Sequence, residues 1–184
     1  MFLVNAWYVA ALSADVSRTP FAVKMVNHDV VLYRKQDGDV VALEDSCPHR
    51  RLPLSKGRVV DDTLECGYHG LRFDCSGACV EAPGTKHIPM AAVVRQYPAV
   101  EKYGMVWVWM GDSALANTAD IIEIKEWDDP NWGVNRGDAM EVACNYLYIT
   151  DNLLDPSHVT WVHQSSFGSS DLVGIPLEVT EADS

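Results

Sequence analysis

No stretch of the chain approaches the roughly 20 consecutive apolar residues that a membrane-spanning helix requires. The longest compact apolar run is Met105-Val-Trp-Val-Trp-Met110. The apolar opening Met1–Ala10 lacks the basic residues of a secretory leader, its first positive side chain being Arg18, so a cytoplasmic location is expected. Cysteine is scarce and odd in number, at five. With two assigned to the motif below, Cys75, Cys79 and Cys144 remain, which argues against a disulfide framework and for a reducing compartment. Internal repeats and low-complexity tracts are absent, and a composition of 48% apolar and 22% charged residues excludes a disordered chain.

The second part of the chain also lacks positive charge. Residues 1–112 carry twelve Lys and Arg against thirteen Asp and Glu, whereas residues 113–184 carry two, Lys125 and Arg136, against thirteen. A chain of net charge −12 without a basic patch cannot neutralise phosphates, so nucleic-acid binding is excluded. The acidic stretch reads either as a solvated face or as part of a domain whose remaining residues lie outside this sequence, because that much self-repulsion opposes compaction.

Two short motifs carry the chemistry. Cys47-Pro-His49-Arg is followed, after fifteen intervening residues, by Cys66-Gly-Tyr-His69-Gly. Each motif offers one thiolate and one imidazole. A [2Fe–2S] centre of the Rieske type needs that division, because two Cys hold one iron and two His hold the other. A Cys₂His₂ zinc site is the competing assignment, but its usual spacing places both Cys in one half and both His in the other.

Residues 1–112 break into short β-rich runs, Trp7–Ala10, Ala22–Val26, Val30–Tyr33, Val40–Leu43, Leu64–Cys66, Arg72–Asp74 and Val106–Met110. Asp37-Gly38 and Ser76-Gly77 are hairpin signals. The pattern predicts a mainly β, small antiparallel β-sandwich, with both ligand loops at hairpin tips where Pro48 and Gly67 turn the chain. Ser113–Asp120 reads as a polar linker. Beyond it, Glu123–Asp129 is a short strand or irregular, Asp138–Ala143 a strand, and Asn145–Leu154 a helix with Asn145 as its N-cap and Leu147, Leu154 and either Ile149 or Tyr148 on its apolar face. Pro156 limits that helix, and Val173–Thr180 begins a further strand.

A second constellation, Asp151-Asn-Leu-Leu-Asp155-Pro-Ser-His158-Val-Thr-Trp-Val-His163, gathers two carboxylates and two imidazoles within thirteen residues. Two His and one carboxylate on one face suit a non-haem Fe(II) site. His158 and His163 are five apart, so a regular helix would not align them and an irregularity is expected. Asp155 lies three residues before His158, close enough to accept its second N–H. Asp151 is open between this use and helix capping.

Taken with Asn5-Ala-Trp-Tyr-Val-Ala10, these motifs resemble the oxygenase component of Rieske non-haem iron oxygenases, and within that family the vanillate O-demethylase group and its aromatic-acid relatives. The resemblance implies that Cys47, His49, Cys66 and His69 bind the [2Fe–2S] cluster and that His158 and His163 bind a mononuclear Fe(II). It implies that Asp155 carries electrons between centres, bridging His158 to His69 of a neighbouring subunit in a homotrimer. It also implies a reductase component or ferredoxin as electron donor, with O₂ and an aromatic acid as substrates. Respiratory Rieske proteins add a Cys to each loop. Leu52 and Tyr68 stand at those positions here, which favours the oxygenase type.

On that resemblance, residues 1–112 form the Rieske domain and residues 113–184 the incomplete start of a helix-grip-type catalytic domain. The third iron ligand, an Asp in the family, is expected outside the sequence, and the spacing of Glu178, Glu181 and Asp183 does not recommend them for it. Two function readings follow: an O-demethylating or ring-oxidising monooxygenase, or a [2Fe–2S] electron carrier that uses only residues 1–112. Among smaller signals, Arg50 and Arg51 either steer an acidic donor or pair with Asp61 or Asp62. Cys75 and Cys79 read as ordinary free thiols. Trp107 and Trp109 read as sheet packing, and Trp161 as a pocket or packing residue.

Overall fold

The computed structural model describes residues 2–85, 87–134, 137, 140–166 and 168. Contacts divide the chain into two units, Met1–Arg136 and Gly137–Ser184.

The first unit is built from antiparallel strands: β1 (Ala6–Leu12), β2 (Phe21–Met25), β3 (His28–Arg34), β4 (Val40–Glu44), β5 (Arg58–Val60), β6 (Thr63–Glu65), β7 (Arg72–Phe73), β8 (Cys79–Glu81), β9 (Gln96–Tyr97), β10 (Ala99–Lys102) and β11 (Met105–Met110). They form three sheets, ordered β1-β11-β10, β2-β3-β4-β9 and β5-β6-β7-β8. The middle of β3 explains the layering. Val30, Val31, Leu32 and Tyr33 are all fully buried, and an unbroken apolar run is what a strand covered on both faces requires. Val31 and Tyr33 pack with Leu64 and Phe73 of the third sheet, while Val30 and Leu32 pack with Val106 and Val108 of the first. The β3 sheet is therefore the middle layer of the sandwich.

Both expected hairpins are present. Gly38 at φ +98° turns β3 into β4, and Gly77 at φ +84° turns β7 into β8. At Gly77 even a methyl group would sit 1.9 Å from the Val94 carbonyl oxygen, so the close approach as well as the dihedral demands glycine. Four strands escaped the sequence pattern, namely β5, β8, β9 and β10. Three of them are two or three residues long and exist by pairing, Gln96 and Tyr97 with Leu43 and Ala42 for instance. The β2–β3 turn was also hidden, because Val26 and Asn27 both take left-handed dihedrals, which a β-branched residue rarely does. Trp107 and Trp109 do pack within a sheet. Trp109 lies opposite Trp7 in the β1–β11 register and meets its ring edge-on at 5.5 Å.

The predicted linker lies against this first unit. Trp7 donates its indole N–H to the Asn117 carbonyl at 2.8 Å, and the ring of Trp127 meets Tyr103 edge-on at 5.2 Å. Along the linker, Asp112 and Asn117 cap two single 3₁₀ turns, Ser113–Leu115 and Thr118–Asp120. Glu123–Asp129 is irregular.

In the second unit, α1 (Tyr146–Leu154) begins as expected, with the Asn145 side chain accepting from Leu147 N–H. Its apolar side chains are all exposed. A 3₁₀ turn, Pro156–His158, leads directly into α2 (Val159–Val162). The strand expected over Asp138–Ala143 does not form across its described residues 140–143. A strand is held by cross-strand hydrogen bonds, and no described strand lies beside this one. Val173–Thr180, Glu178, Glu181 and Asp183 lie outside the described residues. Among the described residues no helix is long and apolar enough to cross a membrane.

Candidate metal centres

Cys47 and His49 sit on the connection from β4 to β5, and Cys66 and His69 on the tight β6–β7 hairpin. Only the second loop is a hairpin tip. The first is a crossover between sheets, because the β4 edge that a hairpin would use is taken by β9.

The two loops nonetheless share one backbone design. Arg51 N–H donates to the Cys47 carbonyl at 2.8 Å, and Cys47 N–H to Leu52 at 2.9 Å. In the partner loop Gly70 N–H donates to the Cys66 carbonyl at 3.0 Å, and Cys66 N–H to Leu71 at 2.8 Å. The residue four after each Cys is left-handed, Arg51 at φ +59° and Gly70 at φ +73°. The shared spacing was visible in Cys-Pro-His-Arg-Arg-Leu and Cys-Gly-Tyr-His-Gly-Leu, although an arginine in the glycine position disguises it. The loops also touch closely. A Cβ on Gly57 would lie 1.9 Å from the Glu65 carbonyl oxygen, and one on Gly67 would lie 2.8 Å from that of Lys56.

This design sorts the four side chains by chemistry. Cys47 and Cys66 are each 2% exposed and belong to one core cluster with Leu54, Leu64 and Phe73. His49 and His69 are exposed, with their rings 4.6 Å apart. Burial pushes the Cys47 thiol above its ordinary value; the His49 N–H aimed at the sulfur opposes this, and the neighbouring Cys66 sulfur adds to it. Two buried thiols on one side and two outward imidazoles on the other fit a two-iron unit ligated unequally at its ends.

Neighbouring groups hold the loops in place, and sequence reasoning missed them. Asp45, 8% exposed, accepts from both the N–H and the hydroxyl of Ser55 at 2.6 Å, tying the two ends of the first loop together. Glu65, directly before Cys66, is gripped by Arg72 at 2.9 Å and Arg58 at 2.7 Å. Hydrogen bonding to Arg72, with Arg58 assisting, holds its carboxyl below the usual range. The pairing considered for Arg50 and Arg51 does not form. Arg18 occupies Asp62 at 3.1 Å and the Asp61 carbonyl, and Asp62 also accepts from Gln36 N–H. Cys75 and Cys79 are free thiols.

In the second unit His158 and His163 come together with rings 5.4 Å apart. The expected irregularity is the change from the 3₁₀ turn into α2, which ends before His163. His158 Nδ1 lies 2.6 Å from the Asp155 backbone carbonyl. A carbonyl only accepts, so Nδ1 carries the proton and the Nε2 lone pair is available to a metal. The link between Asp155 and His158 thus runs through the main chain. The Asp155 carboxylate instead accepts from Ser157 N–H at 3.0 Å, and hydrogen bonding to Ser157 lowers its pKa. Asp151 lends its carbonyl to Asp155 N–H at the end of α1.

Comparison with known proteins finds two families along the chain. The Rieske [2Fe–2S] domain family matches residues 6–98, and the vanillate O-demethylase oxygenase C-terminal domain family matches residues 142–184. The toluene-4-sulfonate monooxygenase system iron-sulfur subunit of Comamonas testosteroni is 45% identical over 170 residues, which are 92% of this chain and 49% of that protein. The vanillate O-demethylase oxygenase subunit of a Pseudomonas species is 40% identical over 177 residues, 96% of this chain and 49% of that protein. A crystal structure of dicamba monooxygenase bound to dicamba superposes with a TM-score of 0.83 at 42% identity, covering 89% of this chain and 49% of that one. The chain spans about half the length of the curated relatives it matches.

Proposed function

The chain belongs to the Rieske non-haem iron oxygenase family, and on that premise we propose that it serves as the oxygenase component of an aromatic-acid monooxygenase, removing an O-methyl group by hydroxylation. The working division is a cluster domain over residues 1–112 and the start of an iron-binding catalytic domain over residues 113–184. Cys47 and Cys66 would hold one iron of a [2Fe–2S] cluster and His49 and His69 the other, while His158 and His163 would hold a mononuclear Fe(II). When bound, these groups supply one-electron storage and O₂ activation, fed by a reductase component or ferredoxin.

The chain's own residues provide the rest. Burial of Cys47 and Cys66 among Leu54, Leu64 and Phe73 keeps water from the sulfur side. His49 and His69 remain at the surface, where their outer ring nitrogens can meet a partner. The Asp155 carbonyl selects the His158 tautomer with a free Nε2. The Asp155 carboxylate, held as an anion by Ser157, is a ready acceptor for an imidazole N–H of a neighbouring subunit.

The observation that carries this reading is the sorting of thiols inward and imidazoles outward on two loops of one backbone design. Iron counting and spectroscopy on protein purified without air test it. Two irons per chain with the Rieske signature are expected for the cluster. Colourless protein that retains zinc after anaerobic reconstitution would overturn the assignment.

A second reading is a [2Fe–2S] electron carrier that uses only residues 1–112, since both cluster loops lie within the first unit. Stoichiometry separates the two readings, because an oxygenase takes up substrate-dependent O₂ and a third iron per chain, and a carrier does neither.

A further inference from the structure

Leu64 and Cys66 turn into the core on either side of Glu65, so the Glu65 side chain turns out of it and is only 13% exposed. Its two carboxylate oxygens are divided between two strands. Oε1 accepts from Arg58 at 2.7 Å and Oε2 from Arg72 at 2.9 Å, and Arg72 reaches on to Glu81 at 3.0 Å. Arg58 stands opposite Glu65, Glu65 opposite Arg72 and Arg72 opposite Glu81 in the strand register. Charges of alternating sign therefore cross the whole third sheet in one row. The strands of that row are also the ends of the ligand loops. The loop with Cys47 and His49 runs into β5, the second loop leaves β6 at Cys66, and β7 begins three residues after His69. One carboxylate thus ties the exit of the first loop to the entry and exit of the second.

The row is electrically balanced, with two guanidiniums against two carboxylates. One-electron reduction adds a negative charge to a [2Fe–2S] centre, and the net charge around such a centre is one of the levers on its potential. We propose that Glu65 is a positioning residue for the cluster, and that its carboxylate both holds the two ligand loops together and lowers the cluster's reduction potential. This inference rests on reading Cys47, His49, Cys66 and His69 as the cluster ligands. A role in folding alone would make every break in the row act in the same direction. A role through charge gives opposite signs for the loss of an anion and the loss of a cation.

The experiment is a redox titration of the full chain, purified without air and followed by its Rieske spectrum, together with the rate of cluster loss to an iron chelator. Glu65→Gln leaves the row with a surplus cation, so the potential should rise, and cluster loss should speed up about tenfold, the scale of an outer-shell change. Arg58→Gln leaves a surplus carboxylate, so the potential should fall, and cluster loss should speed up about two- to threefold, as for an exposed pair. Arg58 is 73% exposed, so this second variant leaves the core untouched and keeps the sign readable if Glu65→Gln loads poorly. The double variant restores the balance of charge but not the contacts. Its potential should return towards wild type while its cluster loss stays fast. Both shifts should shrink as salt rises. Glu101→Gln removes the same charge on β10, beyond the middle sheet, and should leave the potential unmoved. Shifts of one sign in both row variants, unmoved potentials, or a wild-type rate of cluster loss in Glu65→Gln would overturn the proposal. So would an equal rise in Glu101→Gln, which would reduce the effect to net charge. A wild-type chain without a Rieske spectrum would sink the ligand assignment and this proposal together, whereas each of the other failures leaves that assignment standing.

Discussion

The two ligand-bearing regions are built on opposite plans. The cluster loops draw Cys47 and Cys66 from connections nineteen residues apart in sequence and bury both to 2% exposure. The second region holds His158 and His163 within six consecutive residues, flanked by Leu153, Leu154, Trp161 and Val162 at 67–76% exposure. A centre made from remote segments needs two packed sheets to bring its ligands together, whereas a pair made from one turn of chain needs only local hydrogen bonds. The first should fail as a unit when its scaffold is disturbed. The second should tolerate changes to its exposed neighbours.

The largest test of that contrast is Cys66→Ala. Loss of one thiol should abolish the Rieske spectrum and leave His158 and His163 undisturbed, as proton NMR of the imidazoles would report. A retained spectrum would refute the ligand assignment.

Truncation of matched apolar side chains comes next. Phe73→Ala, at a fully buried position beside both cysteines, should cost about 3–5 kcal/mol in denaturant unfolding and weaken cluster retention. Leu153→Ala, at 74% exposure on α1, should stay within about 0.5 kcal/mol. Equal costs would erase the distinction between the regions.

A smaller effect concerns pH. Bidentate hydrogen bonds from the partly buried Arg34 at 2.8 and 2.9 Å hold the Glu101 carboxyl below its usual range. A depressed carboxylate contributes stability above its unfolded pKa and loses it as pH falls through the folded value. Glu101→Gln should therefore destabilise at neutral pH, and the two stability curves should converge in acid. Asp155 is lowered as well, but by hydrogen bonds to Ser157 within its own turn rather than by an arginine from a distant strand, so Asp155→Asn should change the acid limb of the curve less.

The smallest test sets one cluster loop against the other. Arg51 occupies the left-handed position that Gly70 fills in the second loop. Relief of left-handed strain, about 1–2 kcal/mol, outweighs the added unfolded-state entropy of glycine, about 0.5–1 kcal/mol. Arg51→Gly should raise stability by about 0.5 kcal/mol in chemical unfolding. A loss instead would show that the arginine side chain has a partner in the loaded protein.

Much of this was legible before any coordinates. The Cys-x-His and Cys-x-x-His pair, the two glycine hairpins, the Asn145 cap and the break between His158 and His163 are local features, each set by residues a few positions apart. The hidden parts share a different cause. Strands β5, β8 and β9 are too short to show a period and exist through pairing. The Val26-Asn27 turn runs against residue preference, and the first ligand loop became a crossover because a distant strand claimed the β4 edge.

Residue type and spacing alone determined which side chains could hold two irons, since the division of thiols and imidazoles between the motifs is written in linear order. Tertiary structure decided which way each pair faces and which cations near them stay unpaired. Burial and ion pairing depend on segments far apart in the chain, such as Phe73 beside Cys47 and Arg18 claiming Asp62.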